Sequence, residues 1–130
     1  MKTFVIDGNR FADIAGFYRE LNRLFMTSED WQLGESLDAF DDLLYGGFGD
    51  AAGEPAIILR WHQFEKSRID LGLDATRDYY LKKLQQPQRY HMETARRNLQ
   101  ELESGAGKTY FELLLQIIAD HPNVTLVPEP

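Results

Sequence analysis

The stretch Ala56 to Trp61, AIILRW, constrains this chain more than any other. Its apolar run is nearly continuous. A strand of that kind belongs in a sheet covered on both faces, which points to a parallel sheet clothed by helices. The other segments order themselves around it. Thr3 to Ile6, TFVI, is a short β run closed by the turn pair Asp7-Gly8. Asp13 stands at a capping position, and Ile14, Phe17, Tyr18, Leu21, Leu24 and Phe25 recur at helical spacing. Met26 to Leu33 and Phe48 to Pro55 read as loops on either side of a short helix. After Trp61 the chain turns into a further helical segment at about Phe64. Asp74 to Leu84 and Gln88 to Glu103 read as two more helices with thin apolar stripes, separated by Pro87, which cannot continue the first. Thr109 and Glu112 are spaced as a capping box ahead of Phe111, Leu114, Leu115 and Ile118. Pro122 ends that helix, and Val124 to Val127, VTLV, is a last short strand. This order predicts an α/β fold with a small parallel sheet, AIILRW at its centre.

Composition narrows the class. The chain has 130 residues and 43% hydrophobic content, suited to one domain with one core. It has no cysteine, which excludes a disulfide framework, a thiolate metal site and a Cys nucleophile, and agrees with a cytoplasmic protein. No apolar run approaches the ~20 residues of a membrane span, and the N-terminus MKTFVIDGNR lacks a signal-peptide core. Net charge is −7, unevenly spread. Between Arg23 and Arg60 there is no Lys or Arg, while Glu29, Asp30, Glu35, Asp38, Asp41, Asp42, Asp50 and Glu54 all fall there. From Arg68 to Lys108, eight basic residues stand against six acidic ones. A one-signed acidic region argues against nucleic-acid binding and for attraction of a basic partner.

The acidic region centres on Trp31 to Leu44, WQLGESLDAFDDLL. Ser36 is placed to cap a helix, and Leu37, Phe40 and Leu44 form its apolar stripe. Asp38 and Asp42 are four apart and share the opposite side, with Asp41 between them and Glu35 just before the turn. Like charges at that spacing weaken an isolated helix by a few tenths of a kcal/mol. The residues alone leave three readings open: a protein-binding face, a merely solvated face, or a carboxylate or divalent-cation site of an enzyme.

Two other motifs carry less. Ser104 to Thr109, SGAGKT, is half of a phosphate-binding loop, but Leu102 holds the place of the first glycine and a helix rather than a strand precedes it. His62, His91 and His121 show no ligand spacing and read as surface or turn histidines, His62 partly buried beside Trp61. No metal or cofactor is expected.

Two strings then become recognisable: GESLDAFDDL at Gly34 to Leu43 and LRWHQFEKS at Leu59 to Ser67. Through them the chain resembles barstar, an intracellular inhibitor of the ribonuclease barnase, over Thr3 to Ser67 and Phe111 to Val127. The resemblance implies a three-stranded parallel sheet with helices, and no enzyme activity. It implies that the second helix and its preceding loop plug a ribonuclease active site, with carboxylates in the place of RNA phosphate. Asp38 and Asp42 match the family's two contact aspartates. Gln32 and Leu33 stand where the family has paired aromatics, Asp41 at an aromatic helix position, and Gln116 at an acidic contact position, with Asp120 one turn on. Residues 68–108 are longer than in the family and imply a helical insertion before the last helix of a single domain. Trp61 and Phe64 are expected in the core.

The expected function is therefore a 1:1 inhibitor or immunity protein for a basic ribonuclease or ribonuclease-like toxin. Its contact residues would be Asp38, Asp42, Asp41, Glu35, Gln32, Leu33, Gln116 and Asp120, with no nucleic acid and no membrane involved. The alternatives are a protein-interaction module of the same fold that uses the insertion as its contact surface, and, behind it, a carboxylate- or metal-dependent hydrolase.

Overall fold

The structure is a computed structural model that describes residues 1–86 and 91–130. The expected helix break at Pro87 and helix start at Gln88 lie outside the described residues. Three strands, β1 (Lys2–Asp7), β2 (Ile57–His62) and β3 (Val124–Pro128), form one parallel sheet in the order β1-β2-β3. The strand anticipated at the centre is at the centre. Phe4 pairs with Leu59 and Leu59 with Leu126, which sets the register. Between β1 and β2 run α1 (Ile14–Phe25) and α2 (Leu37–Leu44). Between β2 and β3 run α3 (Phe64–Asp70), α4 (Leu73–Leu84), α5 (Met92–Glu103) and α6 (Tyr110–Ala119). No helix among the described residues is long and apolar enough to cross a membrane.

The expectation that β2 is covered on both faces is not met. Ile57, Leu59 and Trp61 are buried, but Ile58 and His62 are half-buried and Arg60 is exposed. The reason is a polar cover on that side. Arg60 Nη2 and His62 Nδ1 lie 2.7 and 3.0 Å from the Glu129 carboxylate, just beyond β3.

The core lies on the other face. Phe17 of α1 stacks on Trp61 with ring centroids 5.6 Å apart, and Phe111 of α6 meets Trp61 edge-on. The WHQFEKS string accounts for itself here as architecture. The buried Trp61 Nε1 donates to Ser67 Oγ at 3.0 Å, and Ser67 is wholly buried. Gly8 is pressed against this junction: a Cβ there would lie 2.7 Å from the His62 carbonyl oxygen and 2.8 Å from Ser67 Oγ. Gln63 takes a left-handed conformation, φ 57°, to turn β2 directly into α3.

The root of α4 is tied into the same core. Leu71 is fully buried, and its carbonyl accepts from Phe111 N–H at 3.0 Å. The buried Thr76 hydroxyl accepts from Tyr110 N–H at 2.7 Å and donates to the Gly72 carbonyl at 2.6 Å. Tyr110 OH meets Tyr18 OH of α1 at 2.7 Å, and burial pushes both phenols far above their ordinary pKa. Farther out, α4 and α5 pack on one another, burying Tyr80, Ala95 and Leu102.

Candidate protein-binding face

Helix α2 is held by one side and presents the other. Ser36 Oγ accepts from Ala39 N–H at 3.1 Å, the expected N-cap. Phe40, Leu43 and Leu44 are at most 1% exposed and fix the helix against the core and α6. Burying side chains of that size contributes roughly 1.5–3 kcal/mol each. That anchorage sets the rotation of the helix, and with it the outward direction of Asp38 and Asp42. Both are exposed. Among the described residues, neither meets a basic side chain within ion-pair distance.

Asp41 is used differently. Its Oδ1 accepts from His121 Nε2 at 2.6 Å, and about 40% of its side chain stays exposed. His121, expected as a surface or turn histidine, lies in a turn but is only 4% exposed. It sits in the turn after α6, so the pair fastens α2 to that turn, and Asn123 Nδ2 reinforces it by donating to the Leu44 carbonyl at 3.3 Å.

The remaining predicted contact residues divide. Gln32 and Glu35 are exposed in the loop before α2. Glu35 borders a shallow cavity of about 290 Å³ shared with Asp13, Asp78, Tyr79 and Lys82. Leu33 does not face outward. It is 7% exposed and belongs to the core, because Asn22 of α1 brackets its backbone: Leu33 N–H donates to Asn22 Oδ1 at 2.7 Å. Its place is to anchor the loop. Gln116 and Asp120 are exposed on α6 and at its end, and Lys108 Nζ donates to Gln116 Oε1.

Sequence reasoning missed the aromatic margin. Tyr45, the C-cap of α2, is 72% exposed. Trp31 is 45% exposed and lies against Phe48, ring centroids 4.9 Å apart. The spacing of Tyr45, three residues after Asp42, could have revealed it. The loops carrying Trp31 and Phe48 are joined at Asp50, whose carboxylate accepts from Thr27 Oγ1 and from Ser28 N–H at 3.0 Å. Those bonds, led by the one from Thr27, hold Asp50 below the usual carboxylate range.

No three His, Asp or Glu side chains among the described residues are grouped to hold a metal ion. The SGAGKT string follows α5 and precedes the capped start of α6, so it lacks the strand a phosphate loop needs. The family model for barstar, the barnase inhibitor, matches residues 1–102. The chain belongs to the barstar family. The match takes in α2 and the WHQFEKS junction, and stops short of α6 and β3. No curated protein matches the chain. Barstar proteins are inhibitors rather than enzymes.

Proposed function

We propose that the chain is a stoichiometric inhibitor, or immunity protein, of a basic ribonuclease or ribonuclease-like toxin. In this reading α2 enters the enzyme's active site, and Asp38 and Asp42 occupy the positions of substrate phosphates. The observation that carries it is the pair of exposed aspartates left without basic partners, among the described residues, on a helix whose opposite face is locked in the core. A carboxylate in that state has its full charge to give to an arginine, lysine or histidine of an enzyme built to bind phosphate. Gln32, Glu35, the part-exposed Asp41, Gln116 and Asp120 surround it, and Leu33 supports the loop from beneath.

The test is calorimetric titration and ribonuclease protection with a panel of basic ribonucleases, barnase included. Expected are 1:1 binding, nanomolar or tighter, and an association rate that falls as salt rises. Asp38→Lys combined with Asp42→Lys should abolish protection, because each truncated charge pair of this kind costs about 2–5 kcal/mol and reversal adds repulsion. Circular dichroism should show an unchanged fold, since neither side chain is packed. Protection that survives the double reversal overturns the proposal.

A further inference from the structure

We infer that Tyr45 is a specificity-determining contact of this face, and that it receives an arginine side chain of the partner over its ring. The inference deepens the inhibitor reading and rests on it for the partner. Asp38, Asp42 and Tyr45 stand at i, i+4 and i+7, which at 100° per residue places all three within one narrow stripe. The helical backbone continues to Tyr45, with φ −69° and ψ −20°, and its N–H bonds back to the Asp42 carbonyl at 3.2 Å. Tyr45 therefore stands one turn beyond Asp42 on the same stripe.

A lone exposed tyrosine would mean little. This one is braced. Its ring stands perpendicular to that of His121, centroids 4.6 Å apart. His121 is itself 4% exposed and held by Asp41, so the brace cannot swing away. Tyr45 is thus 72% exposed while its ring is backed by a fixed wall, which lowers the entropy lost when a partner covers it.

Charge selects the occupant. Among the described residues no basic side chain lies within ion-pair distance of Asp42, so its charge is left for a cation of the partner. At Asp42 that cation arrives beside Tyr45. A guanidinium can pair with a carboxylate through its fork and lie flat on a ring at once; an ammonium, a compact point charge with no planar face, can do one or the other but offers neither the fork nor the stacking plane. The same arrangement explains how the face can choose among basic proteins. Carboxylates alone attract any cation, whereas the Asp42–Tyr45 step favours arginine over lysine.

The first test needs no nuclease. Capped tetra-arginine and tetra-lysine peptides are titrated at low salt into the isotopically labelled full chain, followed by NMR. The arginine peptide should shift Asp38, Asp42 and the Tyr45 ring signals most, and bind more tightly than the lysine peptide. Tyr45→Ala should remove that preference, and Tyr45→Phe should keep it. Shifts centred on other carboxylates, or an arginine preference unchanged by Tyr45→Ala, overturn the inference. The second test uses a ribonuclease that the wild-type chain inhibits. Tyr45→Ala should weaken binding by about tenfold or more, and Tyr45→Phe by much less. If the Asp38 and Asp42 reversal abolishes inhibition while Tyr45→Ala leaves it intact, the inference fails and the inhibitor reading stands. If no basic ribonuclease is inhibited, the inhibitor reading fails, and the peptide titration still decides the role of Tyr45.

Discussion

Helix α2 and the pair α4–α5 are both charged and both lie at the surface, but they handle charge in opposite ways. On α4–α5 one arginine answers two acids and ties the helices together. Arg77 reaches Asp74 on its own helix and Glu103 on α5. On α2, Asp38 and Asp42 repel each other and face outward unpaired among the described residues. Packing runs the other way. Three side chains of the eight-residue α2 are at most 1% exposed, while the twelve-residue α5 buries only Ala95 and Leu102. A helix that tolerates unanswered charge must be held by its core contacts. A helix pair with a thin core can be stabilised by cross-paired charge. The first arrangement leaves electrostatic energy for a partner, and the second uses it internally.

Removing residues 68–108 should have the largest effect, and it could break this contrast. The excision begins inside α3 and takes Leu71 and the Thr76 hydroxyl that serves Tyr110. A lost buried Leu costs about 2–5 kcal/mol and each orphaned buried donor about 1–3, against a typical total stability of about 5–15. Circular dichroism should show an unfolded chain. Reversing the exposed Arg96 and Arg97 to Glu should instead leave ribonuclease inhibition in place and lower the melting temperature only slightly, since it sets like charges one turn from Glu93 and Glu101 on α5. A deletion variant that folds and inhibits would make α4–α5 a dispensable ornament. Loss of inhibition on reversing only those arginines would move the contact surface away from α2.

Phe40→Ala should come next, at about 3–5 kcal/mol in urea denaturation, because its fully buried ring is what fixes the rotation of α2. Inhibition should fall with it even though no contact residue has changed. The consequence sharpens the contrast: on this helix the function is carried by side chains that do little for stability, on a frame set by side chains that never meet the partner.

How much of this was legible in the chain follows from the range of the forces involved. The Ser36 cap, the α2 stripe and the Thr109–Glu112 box are local, and one turn of sequence suffices to read them. AIILRW as the central strand was equally plain. Its second face was not, because the ions that cover it come from Glu129, 69 residues from Arg60. The family position points Leu33 outward, yet the reason it turns in is Asn22, on another helix. His121 joins Asp41 across 80 residues and leaves no mark in either neighbourhood. Tyr45 is the instructive case. Its spacing from Asp42 was in plain view, but an aromatic at a helix end reads as core until its exposure is known.

A smaller and opposite change is expected at Asp42. It lies in the last turn of α2, where the helix dipole disfavours a carboxylate, and four residues from Asp38. Asp42→Asn should raise stability by about 0.2–0.5 kcal/mol in urea while weakening ribonuclease binding. Few residues outside a binding surface show that pairing of signs. If Asn destabilises the fold, Asp42 has a partner within its own chain and its place on the face is lost.

The smallest effect should appear in acid, and it belongs to α4–α5. The hydrogen bonds from Arg77 hold the Glu103 carboxyl below its ordinary range. A carboxylate depressed in the folded state stabilises at pH values above its unfolded pKa, and that stabilisation fades as pH falls through the folded one. Glu103→Gln should therefore lower the melting temperature slightly at about pH 7, and the gap from the wild type should narrow as pH falls below the ordinary carboxylate range. Both groups are well exposed to solvent, so added salt should shrink the gap as well. Asp38→Asn gives the control on α2. Among the described residues Asp38 has no basic partner, so its substitution removes no cross-helix ion pair. Equal acid responses for the two variants would mean that the charges of α4–α5 are no more mutually paired than those of α2, and the contrast between the two regions would rest on packing alone.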